Sequence, residues 1–449
     1  MGTPANTAIA YSNGQDNLQI LKNLFSDDAW VARDLVFNKN RFLSMVDKDE
    51  TEMGLGGSGF PIPVIYDVGG GGSANLGTAQ TYQTAPATAS FLLTTVNVYR
   101  VGSIQNQFLR ASAQNIGAFI PAAKMNVKAL YMGAANDIAF QMFSDGSGTR
   151  GSYGANGGSG SISSGVITLD NLGQVYQFSV NMALYSFSVS GSTATQSTGA
   201  AVGYVIAVDT GAGTVTVSAT QQGAAGTPTN WSTSFPYLAR AGDTSFATNG
   251  LNSANMLCIA GLGAWIPSTV PSSSDSFFTQ NRSVSPTKLA GLRFTGSSES
   301  IQDCLIDSTN QLSAQSSEAG DPDVIFINPV SYQTLVKNLT GQGQYQMIRA
   351  KVNEEVEISF KALVLPTANG EISIIQDRNC PAQTAYVLTM KTWKLRSLGK
   401  IPQFLTFPGF YDMLGFPIAG QDAVEIRVGG YLNLTCNAPG ANAVVSLPQ

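Results

Sequence analysis

PDVIFINPVSYQTLVKNL, residues 322–339, carries two structural signals in one short stretch. Val324–Ile327 is an uninterrupted apolar run bounded by Asp323 and by Asn328-Pro329, the pattern of a strand buried on both faces. SYQTLVKNL then places Tyr332, Leu335, Val336 and Leu339 at spacings of three and four, the pattern of an amphipathic helix. Just upstream, SSESIQDCLIDSTNQL (297–312) puts Ile301, Leu305 and Leu312 on one helical face. Downstream, KALVLP (361–366), ISIIQD (372–377) and AYVLTM (385–390) read as strands. Helices on one sheet predict a compact α+β domain that starts near 296 and takes in these strands. It is followed by one long strand in QDAVEIRVGGYLNLTCN (421–437), with a bend expected at Gly429–Gly430.

The strongest helix signal lies at 112–143. Ile116, Phe119, Ala123, Val127, Leu130, Ala134, Ile138 and Met142 form one apolar stripe, Lys124 and Lys128 fall on other faces, and Pro121 should start or kink the helix. Before it, FPIPVIYDV (60–68) and SFLLTTVNVYRV (90–101) read as two strands of a long hairpin joined by a Gly/Ala/Thr-rich stretch. Asp67 is the only charged residue between Phe60 and Tyr99. An isolated hairpin is marginal in water, so this one should need a neighbouring surface. Residues 147–245 are nearly uncharged: from Gly151 to Arg240 only Asp170, Asp209 and Arg240 carry charge. Short runs (GVITL, QVYQFSV, LYSFSVS, AVGYVIAVD, TVTVSA) recur between turns, with Asp209–Gly213 as a hairpin turn, and predict an inserted all-β module. Residues 246–295 read as connecting loops. Residues 1 to about 53 hold the densest charge, including the run DKDETE from Asp47, and read as an extended arm with one or two short helices.

The chain has 449 residues, a net charge of −5 and no histidine. Without histidine there is no Ser-His-Asp or Cys-His hydrolase, no imidazole base and no His-ligated metal. Only 12 % of residues are charged, against roughly 25 % in an average soluble domain. A surface of Ser, Thr, Asn, Gln, Gly and Ala suits a protein packed against copies of itself, since obligate interfaces are depleted in charge. The four cysteines, Cys258, Cys304, Cys380 and Cys436, form no CxxC pair and are expected to be reduced core residues. No apolar run reaches the 18–20 residues of a membrane span, and the N-terminus lacks a secretory pattern. GLGGSG (54–59) is followed by FPIPVIYDV rather than by a helix, so it is not read as a phosphate loop. Glu354, Glu355 and Glu357 read as a strand edge. Asp321 and Asp323 read as shaping a turn, and Asp377 with Arg378 as an ion pair at a strand end. No clustered Lys and Arg point to sequence-specific DNA reading. The four Asn-x-Ser/Thr sequons have no bearing without secretion. No enzyme, metal or cofactor is expected.

In order, the chain has a charged arm, a long hairpin, a long helix, an α+β domain and a closing long strand. This layout resembles the major capsid protein of tailed phages, the HK97-like fold. PDVIFINPVSYQTLVKNL and KALVLPTANGEISIIQDRNCP are similar to segments of the axial domain in that family. The resemblance implies an N-arm over 1–57, an E-loop over 58–105 and a peripheral domain with its spine helix over 106–146. It further implies a β insertion over 147–245, peripheral connections over 246–295, an axial domain over 296–420 and a peripheral return strand with the C-terminus over 421–449.

The family implies self-assembly as pentamers and hexamers into an icosahedral head shell enclosing double-stranded DNA. Its implied partners are a portal protein, a separate scaffolding protein, a decoration (cement) protein and non-specific contact with packaged DNA, with no membrane. Its place is the virion, after assembly in the bacterial cytoplasm. The E-loop and N-arm would lie across neighbours. The stretch Asp27–Asp34 holds the expected arm contacts (Asp27, Asp28, Arg33 and Asp34), and the stretches Phe60–Val68 and Phe91–Val101 the expected E-loop contacts (Phe60, Ile62, Val64, Tyr66, Phe91, Leu93, Tyr99 and Arg100). No lysine lies between Lys48 and Lys124, so no E-loop isopeptide cross-link is expected. A short arm starting at Met1 leaves no room for a cleaved scaffolding region. The competing readings are a β-rich phage tail or adhesin subunit, which leaves the long helix unexplained, an encapsulin-type compartment shell and, last, a carboxylate enzyme.

Overall fold

The computed structural model describes residues 40–50, 59–105, 116–296, 299–315, 321–342, 347–350, 360–367, 370–405, 416–417 and 422–448. They divide into two compact units. One is drawn from Asn97–Asp137 and Gly399–Tyr431, the other from Asn40–Val96, Ile138–Leu398 and Leu432–Gln449.

The larger unit is organised by Val324–Ile327, the strand read from the apolar run. It lies parallel to Gly370–Gln376 and antiparallel to Thr384–Leu388 in a seven-stranded mixed sheet. Both faces of the strand are buried. Ile325 and Ile327 join Leu305, Leu335 and Leu339 from the helices Ile301–Ala314 and Pro329–Gln342. Phe326 on the other face meets the rings of Phe42 and Phe143 at 5.2 and 6.0 Å. The first of these helices begins where Ser300 caps it, its Oγ accepting the N–H of Asp303.

One strand was not read and another sits elsewhere than expected. Trp393–Ser397 leaves the seven-stranded sheet and pairs with Leu432–Cys436 of the long strand. Ala443–Ser446, read as part of the peripheral return, enters the seven-stranded sheet between Leu292–Thr295 and Thr384–Leu388. Fully buried Asn442 pins this exchange. Its Oδ1 accepts from the Thr389 N–H at 2.9 Å and from Trp393 Nε1 at 2.8 Å. A buried amide so satisfied fixes one crossing of the chain.

Residues 40–49, expected in the extended arm, belong to this core. Phe42 is fully buried, its N–H bonds Asp377, and Asp47–Asp49 adds in parallel to Trp393–Ser397. Burial pushes the Asp377 carboxyl above the usual range, against the N–H groups of Asn379 and Phe42 and the Arg41 guanidinium, which favour its charged form. Arg378, expected to pair with it, donates to the Tyr176 carbonyl at 3.2 Å. The Asp323 carboxylate, read as shaping the turn into its own strand, instead accepts the N–H of distant Met390. All four cysteines are buried and unpaired with one another.

Residues 149–240 supply an eight-stranded sheet around Tyr153, Ile167, Leu184, Val205, Val215 and Leu238. The hairpin Gly203–Asp209 with Thr214–Ser218 forms with the expected turn, where Asp209 Oδ1 accepts the N–H groups of Gly211 and Ala212. QVYQFSV is not a strand. Leu172–Gln177 is a 3-10 helix started by Asn171, which accepts the Gly173 N–H, and Val175 and Phe178 point inward. That segment docks on the seven-stranded sheet: Gln177 Nε2 reaches the Arg378 carbonyl at 2.7 Å. The two sheets therefore share one compact unit.

Asp170 organises the Gly-rich turn of the β sheet. It accepts the N–H groups of Gly154, Gly160 and Ala155 at 2.6, 2.9 and 3.0 Å. Burial pushes its carboxyl up, but the Ser152 hydroxyl and these backbone donors outweigh burial and hold it below the usual carboxylate range. Asp170→Ala should cost about 2 kcal/mol of stability near neutral pH, as hydrogen bonds to a charged group are lost. Because the folded pKa is depressed, this contribution is present above the unfolded value near ~3.9 and disappears as pH falls through the folded one. Urea titrations of the unassembled subunit at neutral pH and near pH 3 would show the difference between wild type and variant shrinking with acid.

In the smaller unit, Val96–Gln105, Gln403–Phe404 and Phe416–Pro417 all pair with the long strand Ala423–Cys436. The helix Ile116–Gln141 forms within the 112–143 read from its stripe, of which 112–115 lie outside the described residues, and its Ala134 and Ile138 are fully buried as expected. The long strand runs through Gly429 and Gly430 as one element, as read. Gly429 serves a close approach, because a Cβ at this position would collide with the carbonyl oxygen of Val98. Gly429→Val should therefore cost at least ~2 kcal/mol by overpacking, read as a lowered urea midpoint at unchanged slope.

Candidate assembly interface

Phe60–Asp67 pairs antiparallel with Ala87–Leu93, Phe60 facing Leu93 and Val64 facing Ala89. SFLLTTVNVYRV is two strands, since the segment from Val96 joins the sheet of the long strand. The period of two gives the hairpin two unlike faces. Ile62, Val64, Ala89, Phe91 and Leu93 are buried, whereas Pro61, Pro63, Ile65, Thr88 and Ser90 are exposed.

The buried face rests on this chain. The Phe91 ring meets Trp265 at 5.2 Å and Phe277 at 6.1 Å, edge to face. Leu92 N–H donates to the Phe278 carbonyl at 3.1 Å. Phe278 and Thr279 both take positive φ (45° and 69°) in the tight turn that brings the two phenylalanines against Trp265. Arg282 holds that turn, pairing with Asp275 at 2.9 Å, donating to the Ala264 carbonyl at 2.6 Å and stacking on Phe277 at 4.0 Å.

Several side chains expected as contacts are already buried in this chain. Ile62, Val64, Phe91 and Leu93 are spent within the chain, and the base of the hairpin has its own support. Phe60 lies under the Arg396 guanidinium at 3.8 Å, and the Tyr66 carbonyl accepts from Lys288 Nζ at 2.8 Å. Arg100 is committed to Asp137 through two bonds of 2.6 and 3.1 Å. Tyr99 stays half exposed, edge-on to Tyr431 at 6.3 Å. Its hydrogen bond with Tyr431, and burial after it, hold the Tyr99 hydroxyl above the usual phenol range. Asp27, Asp28, Arg33 and Asp34 lie outside the described residues.

The outward face and the linker of the hairpin lack such support. Ile65, Val68, Leu76 and Tyr82 are 69, 83, 74 and 71 % exposed. Leu76–Thr81 is a six-residue helix with no buried residue, capped by Asn75, whose Oδ1 accepts the Gly77 N–H at 2.9 Å. A helix this short gains little from its own hydrogen bonds and ordinarily depends on packing. Ile65 and Val68 lie in the expected contact stretch Phe60–Val68, whereas Leu76 and Tyr82 were not among the expected contacts. Their signal was Leu76 and Tyr82 standing in an otherwise small and polar linker, and Ile65 on the face opposite Ile62 and Val64. Among the described residues no cluster of acidic or sulfur side chains could hold a metal, and no helix is long and apolar enough to cross a membrane.

Residues 243–411 match the sequence model of the SU10 major capsid protein family. No curated relative matches the chain in sequence. Among solved structures it is similar to the capsid asymmetric unit of cyanophage A-1(L), at 10 % identity and a TM-score of 0.50, covering 95 % of this chain and 99 % of that one. The capsid of Myoviridae phage XM1 matches at 7 % identity and a TM-score of 0.42, over 95 % and 97 % of the two chains. The satellite phage P4 procapsid, solved with its size determination protein, matches at 11 % and 0.35, over 100 % and 98 %. The cyanophage likeness is one of fold, and it runs nearly end to end. The chain has the HK97-like capsid fold.

Proposed function

We propose that this chain is the structural major capsid protein of a tailed phage, assembling as pentamers and hexamers into the icosahedral shell around packaged double-stranded DNA. The capsid fold over 95 % of the chain, joined to the major capsid family match at 243–411, carries this reading. The low charge and a hairpin tip exposing Ile65, Val68, Leu76 and Tyr82 support it, since both suit a subunit whose surface is completed by its neighbours. Its role is structural rather than catalytic. A portal protein, a separate scaffolding protein, a decoration protein and non-specific contact with packaged DNA complete the proposed set of partners. Assembly takes place in the bacterial cytoplasm and the protein ends in the virion. The domain limits are proposed as the resemblance implies them, with Ala443–Ser446 grouped with the axial domain because it pairs with Thr384–Leu388.

Mass photometry of the protein expressed with a candidate scaffolding protein tests the capsomer claim. Species at five and six times the chain mass of 47.1 kDa are expected. A monomer that stays a monomer at every concentration contradicts it.

A further inference from the structure

We infer that the polar cavity at the starts of the helices Ile301–Ala314 and Pro329–Gln342 binds one ring of a neutral sugar. The inference goes beyond the capsid reading and does not rest on it.

Every wall of the cavity belongs to the larger unit. Its volume is about 240 Å³, room for roughly eight waters or a single hexose ring. Bonds already made fix the frame. Fully buried Asn328 donates to the Cys380 carbonyl at 2.8 Å and accepts the Val330 N–H at 3.0 Å, which starts the second helix. Ser300 caps the first helix. Asn171 closes the side toward the β sheet, and its neighbour Gly173 packs so tightly that a Cβ there would lie 2.9 Å from Asn328 Oδ1. A site preset in this way has little ordering left to pay for on binding.

The groups left over select the ligand. Ser331, Asn338 and Gln383 line the cavity, and none of their side chains bonds another described residue. Gln383 sits at a φ of 56°, a left-handed backbone that glycine favours and glutamine rarely adopts. Its carbonyl accepts the Leu447 N–H at 2.8 Å, which holds that conformation. Strain of this kind clusters at ligand sites. Two amides and a hydroxyl offer donors and acceptors together, as the adjacent hydroxyls of a sugar do. Val330, Ala382 and Pro448 add aliphatic surface for the C–H face of the ring. Among the described residues no lysine or arginine lines the cavity, and Glu299 does, so a phosphate or carboxylate ligand would be repelled. A purely apolar ligand would strand the amides without partners.

Saturation-transfer NMR on the purified full chain tests the site. The probes are glucose, galactose, mannose and N-acetylglucosamine, each with its methyl glycoside, and glucuronate and inorganic phosphate as anions. At least one neutral sugar should bind with a dissociation constant on the order of 1 mM, the strength that a few hydrogen bonds to one ring supply. Gln383→Gly suits the left-handed backbone, and Asn338→Ala lies at an exposed helix position, so both variants should keep the wild-type urea midpoint. Each should weaken sugar binding at least about fivefold, as one hydrogen bond is lost. Equal binding of the methyl glycoside assigns the end of a glycan chain, and binding of the free sugar alone assigns a monosaccharide. No transfer to any of the sugars, or transfer that both variants leave unchanged, overturns the inference. So does tighter binding of glucuronate or phosphate than of every neutral sugar. None of these results bears on the capsid reading.

Discussion

Trp265→Ala is expected to lower the unfolding free energy of the unassembled subunit by roughly 3–5 kcal/mol, the range for removing a buried aromatic side chain. Trp265 is fully buried, and three aromatic rings close on it: Phe277 at 5.1 Å, Phe91 at 5.2 Å and Phe278 at 5.8 Å. Its Nε1 also donates to the Leu434 carbonyl at 3.0 Å, tying this platform to the long strand. Truncation leaves a cavity under the hairpin and one buried carbonyl without its donor. Hydrogen exchange should quicken first in Ala87–Leu93, which sits on the platform through Phe91 and the Leu92 N–H. Trp265→Phe keeps most of the volume and should recover more than half of the loss. A change below ~1 kcal/mol in Trp265→Ala would mean that the platform does not seat the hairpin.

The second large effect should fall on assembly with the fold left intact. Leu76→Asp together with Tyr82→Asp replaces two exposed apolar side chains at the tip. If that tip is buried against a neighbour, each change forfeits roughly 1.5–3 kcal/mol of apolar burial and places a carboxylate in the contact. Every subunit repeats the loss, so the concentration needed for assembly should rise at least about a hundredfold, the conversion at ~1.4 kcal/mol per factor of ten. The free subunit should keep its urea midpoint, since exposed substitutions shift stability by no more than about 0.5 kcal/mol. Light scattering during assembly and denaturation of the free subunit separate the two effects. Shells formed at wild-type concentrations would contradict the role given to the tip.

Elements whose pattern is local could be read from the chain. Val324–Ile327 and the helix after it carry their own boundaries in Asp323, Asn328 and Pro329, and the stripe through Ala134 and Ile138 has one dominant period. Element order then pointed to the capsid fold without any catalytic signature. Partner choice was not legible. Trp393–Ser397 and Ala443–Ser446 are ordinary strands, and only the buried Asn442 amide, satisfied by distant groups, sets their sheets. The phase of the hairpin was ambiguous for a physical reason. Pro61, Pro63 and Ile65 are as apolar as Ile62 and Val64, so alternation of polarity could not say which face is inward. The deciding contact, Phe91 on Trp265 and Phe277, joins segments far apart in sequence. Phe42 was hidden in the same way, by a charged neighbourhood that resembles an arm and a core partner, Phe326, far along the chain.

Electron microscopy of the purified protein, alone and expressed with a candidate scaffolding protein, tests the central claim most directly. The capsid account predicts closed polyhedral shells, or hexamers and flat hexagonal sheets. A population that remains a monomer or a small oligomer under both conditions, or that forms tubes or trimers instead, contradicts it.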